Sequence, residues 1–400
     1  MKKLHIANVI RDQKFFDAQI DYHDMTSSMC YHEYFIVTWS KTVEFVYMKS
    51  IDRIQIVSPD DFIKRLRLDK FDAVFIHNFL YMPLHYMWKI PSEIKVFWFS
   101  WGYDIYNTPQ SNPYIKISLL HKNSLLVKKN ISERKTNIVG LRDFKIHCKK
   151  LLRDLLYRKR KDYNNNIEVY KNAVKRVNYY SGVFPEEYDL LRTQPEFQAE
   201  KVVYGYTNPK DWEEKVGVNF MKGCNILIGN SADINNNHLD ILDYLKDVEI
   251  KNKKVIVPLS YGGSQIYTDC VVKAYQKYFG SLCLLITDYL QRDEYFKLLS
   301  SVGYAIFCQE RQQAVDNIET LMRNGVKIFF SDTSINYKHY KSEGYYVFSI
   351  QKELNSESLN TPLSEEQKMH NAKLLHRIST REFRLKCLYD IYDLLNQQKK

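Results

Sequence analysis

Short apolar runs bounded by polar turns recur along the whole chain. In the first half, Leu4–Ile10, Tyr34–Trp39, Val43–Met48, Ala73–Ile76, Ile94–Phe99, Val177–Ser181 and Lys201–Tyr206 read as strands. In the second half the same reading applies to Asn225–Gly229, Val255–Pro258, Leu282–Ile286, Val302–Cys308, Val326–Phe330 and Tyr345–Ile350. These runs are apolar on consecutive residues rather than alternate ones, the pattern of strands covered on both faces. Segments with helical periodicity lie between them. Ser58-Pro59-Asp60-Asp61 is a helix start, with a capping serine, a proline in the first turn and acids against the dipole. His238–Leu245, a long stretch ending near Phe279, and Arg292–Ser300 read as further helices. Val315, Ile318 and Met322 mark another, which Gly325 closes. Phe15–Asp21 reads as a loop or short helix. Strands alternating with helices predict α/β architecture. The expected layout is two Rossmann-like doubly wound parallel-sheet domains facing across a cleft. The first covers 1–206 and carries a basic helical insertion at about 113–175. A linker at 207–222 leads to the second domain, 223–362, and terminal helices at 363–400 cross back to the first.

Ligands of such sheets bind at the carboxyl ends of strands, so the loops there carry the chemistry. Three converge on the second sheet. In Gly229-Asn230-Ser231 the glycine permits close approach, and the two polar side chains can donate to phosphate. In Tyr261-Gly262-Gly263-Ser264 the paired glycines let backbone N–H groups surround an anion, and Ser264 can cap the next helix. Glu310-Arg311-Gln312-Gln313 precedes a helix whose amino end attracts negative charge, and Arg311 adds a charge-assisted phosphate contact. Glu310, Asp316 or Glu319 could bind ribose or sugar hydroxyls. In the first half, Trp101-Gly102-Tyr103-Asp104-Ile105-Tyr106 puts a carboxylate among aromatics at a strand end. Asp104, Asp17 and His77 are the candidate general bases.

The chain has 400 residues, and seven scattered cysteines with no CxxC pair fit reduced thiols in a cytoplasm. No Walker motif, GxGxxG fingerprint, HExxH or metal-ligand cluster occurs, so ATP hydrolysis, dinucleotide-dependent redox chemistry and a metal site are not expected. No cofactor is implied. The net charge is +11, and its distribution is uneven. Between His121 and Lys161 fourteen Lys and Arg stand against Glu133, Asp143 and Asp154, so this segment carries the whole excess. Leu141, Phe144, Cys148, Leu151, Leu152 and Leu155 share one helical face there, with Lys145, Lys149, Arg153 and Arg160 outside it. That pattern predicts an amphipathic helix docking on an anionic membrane surface. A non-catalytic nucleic-acid-binding protein using 121–161 is the alternative. No aromatic interleaving or nucleic-acid fold signature supports it, and no nucleic acid is expected as partner.

Several motifs together resemble one bacterial family. Ile228-Gly229-Asn230-Ser231-Ala232-Asp233, Val257-Pro258-Leu259-Ser260-Tyr261-Gly262-Gly263, Arg311-Gln312-Gln313 with Asn317, and the aromatic-Gly-x-Asp loop at Trp101–Asp104 are similar to the TDP-N-acetylfucosamine:lipid II N-acetylfucosaminyltransferases, also called 4-alpha-L-fucosyltransferases. One departure is Ala314-Val315-Asp316, which stands where the family pattern is glycine-rich. The resemblance implies a GT-B glycosyltransferase of cell-surface polysaccharide biosynthesis. It implies transfer of a fucose-like (acetamido)deoxyhexose from a nucleotide-sugar donor, dTDP-type favoured. The acceptor would be a polyprenyl-diphosphate-linked glycan, and the enzyme peripheral on the inner face of the cell membrane. Whether the reaction retains or inverts configuration stays open.

Overall fold

A computed structural model describes residues 3–106, 118–137, 167–206, 220 and 222–397. They fall into two compact units. One lies within Met1–Lys116, Leu156–Glu214 and Ile378–Lys400; the other lies within Ile117–Leu155 and Lys215–Arg377.

Among the described residues the first unit holds seven strands: β1 (Leu4–Val9), β2 (Cys30–Val37), β3 (Ile54–Val57), β4 (Ala73–His77), β5 (Lys95–Phe99), β6 (Tyr179–Ser181) and β7 (Glu200–Lys201). They lie in the order β3-β2-β1-β4-β5-β6-β7, with every pair parallel. β4 is buried along its length and β1 nearly so, which is why their sequences lack alternation. The direction of strand addition reverses between β1 and β4, so a crevice opens at their carboxyl ends. The last helix, Arg381–Gln397, packs on this sheet: Leu388, Ile391, Tyr392 and Leu395 join Leu4, Ile6, Phe75 and Phe97 in one core.

Two of the expected elements change here. Val43–Met48 is not a strand, because the Asp12 carboxylate accepts the backbone N–H groups of Val46, Tyr47 and Met48. A side chain thus takes the donors a ladder would need. The third strand is Ile54–Val57, which the sequence reading passed over. It is a half-buried edge strand with polar Gln55 inside it.

The second unit holds β8 (Asn225–Ile228), β9 (Val255–Pro258), β10 (Cys283–Ile286), β11 (Val302–Phe307), β12 (Lys327–Phe330) and β13 (Phe348–Ser349). Their order is β10-β9-β8-β11-β12-β13, again all parallel. Its first four strands repeat the β3-β2-β1-β4 arrangement, and the switch point lies between β8 and β11. Ile226, Ile228, Val257, Tyr267, Val271, Tyr275, Ile306 and Phe329 form its core.

The basic insertion was assigned to the first domain; its described part, the helix Lys122–Asn137, belongs to the second unit. Asp240 explains why. Its carboxylate accepts the backbone N–H groups of Asn123 and Ser124 and the Ser124 hydroxyl, so it caps a helix that is remote in sequence. Val127 and Ile131 then pack against the core of the second unit. The amphipathic helix expected at 141–161 lies outside the described residues, as does the linker region apart from 220 and 222. No described helix is long and apolar enough to cross a membrane.

Candidate active site

The three loops expected to bind a ligand follow β8, β9 and β11, which are neighbours in the sheet and flank its switch point. Gly229 ends β8 with φ +67°, and a methyl group there would lie 2.7 Å from His238 Nε2 and 2.9 Å from Asn236 Oδ1. The missing side chain lets the next residues fold back over the helix His238–Leu245. Asn230 then becomes a hub. Its Nδ2 donates to the Tyr261 hydroxyl at 3.3 Å, and its Oδ1 accepts from Gln313 Nε2 at 3.2 Å and Gln309 Nε2 at 3.5 Å. One side chain thus joins all three loops. Asn236 supports it by accepting from the Asn230 backbone N–H at 3.2 Å and donating to the Ser231 carbonyl at 3.0 Å.

The second loop is held by close approach. A Cβ on Gly263 would stand 2.0 Å from the carbonyl oxygen of Ala232, so only glycine fits. Ser264 accepts from the Tyr267 N–H and caps the helix Gln265–Phe279. The helix Val315–Arg323 differs: Ala314 precedes it at φ +62°, and no side chain caps it. Its amino end stands at the switch point with the dipole unanswered by a cap. Asn317 lies in its first turn, and Asp316 beside it is exposed.

Arg311 is 8% exposed, with Nη1 donating to the Gln312 carbonyl at 3.1 Å and Nη2 to Asp233 at 3.3 Å. It is a positioned cation between the β8 and β11 loops. Glu310 is engaged through one carboxylate oxygen. One oxygen lies 2.6 Å from His121 Nε2 and accepts the Ser331 hydroxyl at 2.6 Å. Burial pushes the Glu310 carboxyl up, but hydrogen bonds from His121, Ser331 and Thr333 bring it below its ordinary pKa. Glu319 is buried with Oε2 unpartnered, and burial raises it to about 8.

Residues 187–373, which include every strand of this sheet, match the sequence profile of the family described as "4-alpha-L-fucosyltransferase glycosyl transferase group 56". The resemblance carried by the motifs is the same family. This chain is a glycosyltransferase. Its fold is GT-B, as three solved structures illustrate. A glycosyltransferase from Rickettsia africae is 10% identical with a TM-score of 0.57, the alignment covering 99% of each chain. The sucrose-phosphate synthase of Thermosynechococcus elongatus is 8% identical with a TM-score of 0.57, over 99% of this chain and 100% of that one. A glycosyltransferase involved in avilamycin A biosynthesis is 9% identical with a TM-score of 0.51, over 98% of both. No curated protein matches the chain.

The glycosyltransferase's first unit places the three candidate bases in different settings. Asp104 is fully buried: Oδ2 accepts from Phe79 N at 2.8 Å and Trp98 Nε1 at 2.7 Å, and Oδ1 from Trp101 N at 3.1 Å. Burial raises its pKa and these bonds oppose the rise, but every contact fixes a loop. Asp17 accepts from Lys49 N at 3.0 Å and Ser50 N at 3.0 Å. Burial pushes its carboxyl up, yet those bonds bring it below the ordinary value, away from what a base at neutral pH needs. His77 is 1% exposed, lies against Phe16, Phe99 and Tyr204, and is pushed down to about 3 by burial. It is a packed neutral histidine whose Nε2 meets Asn8 Oδ1 at 3.2 Å.

Sequence reasoning did not single out Gln309, Asn236, Asn237, His121 or Asp233 as the residues that hold these loops together. Gln309 directly precedes the Glu310–Gln313 stretch and, as an uncharged side chain, gives no electrostatic signal of its own. His121 had no local signal, since its partner lies 189 residues away.

Proposed function

We propose that this glycosyltransferase takes a fucose-like (acetamido)deoxyhexose from a dTDP-type nucleotide sugar and transfers it to a lipid-linked glycan. The observation that carries the donor half is the uncapped helix Val315–Arg323 at the switch point, beside buried Arg311 and the Asn230 hub. The leaving diphosphate gains negative charge as the glycosidic bond breaks. Backbone N–H groups at the helix amino end, those around Gly262 and Gly263, and the Arg311 guanidinium would meet that charge. The scheme assigns it to protein groups rather than to a metal ion. Tyr261, Asn230, Ser231, Ser264, Gln312, Gln313 and Asn317 line the same loops and would orient nucleotide and sugar.

The acceptor half rests on the family match and on the charge concentrated between His121 and Lys161. A glycan carried on a polyprenyl diphosphate presents an anionic head at a membrane surface. A basic segment supplies about 1 kcal/mol per Lys or Arg near such a surface. Replacing Lys145, Lys149 and Arg153 by Glu should release the protein from anionic vesicles.

Saturation-transfer NMR with dTDP, UDP and GDP tests the donor reading directly. Binding of dTDP in preference to the others is expected, followed by slow hydrolysis of the matching nucleotide sugar when the protein meets a panel of them. If none of the three nucleotides binds, the reading falls.

A further inference from the structure

The donor loops contain more negative than positive charge, and one residue from the first half of the chain offsets it. Arg311 is the only cation identified above in the loops themselves. Asp233 lies 3.3 Å from it, Glu310 is adjacent in sequence, and Asp240 stands at the head of the helix after β8. A diphosphate approaching this cluster meets three carboxylates. Asp233 is answered by Arg311, and Asp240 by the N–H groups of Asn123 and Ser124 and the Ser124 hydroxyl. Glu310 is answered by His121, whose side chain is 20% exposed against 6% for the glutamate, at 2.6 Å.

The placement of His121 is built, not incidental. Asn237, fully buried and at φ +52°, accepts the His121 backbone N–H at 3.0 Å and donates to the carbonyls of Leu119 at 3.1 Å and Cys308 at 2.8 Å. That residue fastens the segment before the helix Lys122–Asn137 to the end of β11. The imidazole is thereby fixed between Glu310 on one side and the Cys308 sulfur, 3.8 Å from Nδ1, on the other.

We propose that His121 is a positioning residue for glycosyl transfer, its imidazolium cancelling the Glu310 charge so that the loop can hold the donor's diphosphate. The inference rests on the donor reading above. Glu310 raises the pKa of His121 against the opposing effect of burial, and Asp240 adds to the rise. The other titratable neighbours do not compete for this role. Burial pushes the Cys308 thiol well above its ordinary range, so it stays neutral. Lys122 is exposed, and Asp243 is engaged with Lys246 and Asn123.

The test measures the dissociation constant of dTDP, or of whichever of UDP and GDP binds, on the full chain by calorimetry, with the matching nucleoside as the uncharged control. His121→Gln should weaken diphosphate binding at least about tenfold, the loss expected when a carboxylate charge near a multiply charged anion is left uncancelled. Nucleoside binding should not change. The ratio of variant to wild type should narrow as pH rises, because deprotonation removes from the wild type what the substitution removes from the variant. His121→Lys should keep tight binding without the alkaline loss. The double variant His121→Gln, Glu310→Gln should recover most of the affinity, since both charges leave together. A double variant as weak as His121→Gln, with both melting like the wild type, overturns the inference and makes the role one of packing. Should His121→Gln fail to fold, His121→Lys and the double variant carry the same comparison. If Arg311→Ala weakens diphosphate binding while the His121 variants leave it unchanged, this inference alone falls. If Arg311→Ala has no effect either, the donor reading falls with it.

Discussion

Replacing Asp104 by Asn separates a structural carboxylate from a catalytic one. In the native chain one oxygen accepts two N–H donors, from Phe79 at 2.8 Å and Trp98 at 2.7 Å, and the other accepts from Trp101 at 3.1 Å. An asparagine has one acceptor oxygen and one donor nitrogen, so either orientation sets an NH2 group against a native donor. In the better orientation the oxygen keeps Phe79 and Trp98, and Trp101 loses its acceptor. A lost hydrogen bond to a charged group costs about 1.5–3 kcal/mol, and the two that remain weaken from charged to neutral. Relief of burying a charge offsets part of this, since burial already raises the Asp104 pKa. The expected net loss is about 3 kcal/mol, a large part of the ~5–15 kcal/mol that holds an ordinary domain. Urea denaturation at neutral pH should therefore show a lower midpoint. At a temperature where the variant stays folded, turnover at saturating substrates should fall less than about tenfold. The opposite pair of results, an unchanged midpoint with turnover reduced ~100-fold or more, is what removal of a general base gives. It would return Asp104 to the chemistry and refute its role as a loop anchor.

Four further outcomes are expected. Arg311→Ala should cut turnover at least about tenfold, from the ~1.5–3 kcal/mol of a charge-assisted phosphate contact, with the fold retained by circular dichroism; unchanged turnover would show that the diphosphate binds elsewhere. Gly263→Ala drives a methyl group into the Ala232 backbone carbonyl, so the β8 and β9 loops must part, and donor KM should rise with a loss of about 1–3 kcal/mol by urea titration. Ala314→Gly should match or slightly exceed wild-type stability, since relief of the roughly 1–2 kcal/mol of positive-φ strain outweighs glycine's entropy cost of about 0.5–1 kcal/mol, and Ala314→Val should lose about 2 kcal/mol, because a β-branched residue is poorly tolerated at positive φ; equal stability of the two variants would mean that φ is not positive there. His32 and His77 are held near 3 by burial against about 6.5 unfolded, so stability is full above pH 6.5 and falls as pH drops toward 3. At pH 5 each should cost about 2 kcal/mol, and a urea midpoint unchanged between pH 7 and pH 5 would contradict their burial as neutral rings.

The sequence shows most of the second unit because its parallel strands are covered on both faces and therefore read as unbroken apolar runs. Val255–Pro258 and Val302–Phe307 are found to within a residue or so of their expected bounds. The loops between them are legible for a related reason, since glycines such as Gly263 stand where backbone meets backbone. The first unit hides more. Edge strand β3 buries too little to leave a pattern, and the apolar run Val43–Met48 packs as a loop because Asp12 takes its amide groups. No local rule reveals that a carboxylate thirty or more residues upstream will do this. The same holds for the helix Lys122–Asn137, whose attachment to the second unit depends on Asp240 and Asn237. The candidate bases of the first unit were picked by residue type, and burial is what type does not show. Asp104 and His77 have the chemistry of bases and lie where solvent does not reach.

The way this chain starts its helices bears on where the donor's charge falls. After β3, β9 and β12 the helices begin at Ser58, Ser264 and Ser334, and each hydroxyl accepts a first-turn N–H. Such a cap contributes about 1 kcal/mol. After β8 and β11 the preceding residues are Asn237 and Ala314, at φ +52° and +62°, and neither side chain caps its helix; that conformation costs an L-residue roughly 1–2 kcal/mol, and alanine has no acceptor to offset it. Folding stability alone would favour a serine or a glycine at this position. The helix instead begins uncapped, at the switch point, within a loop fixed by Gln309, Gln313, Arg311 and the Glu310–His121 pair. A serine there, in the extended conformation of Ser58, Ser264 and Ser334, would accept one first-turn N–H from within the chain. On the donor reading proposed above, first-turn N–H groups without a side-chain cap would be left for oxygens of the donor's diphosphate, and the loop's own polar bonds would hold that end in shape.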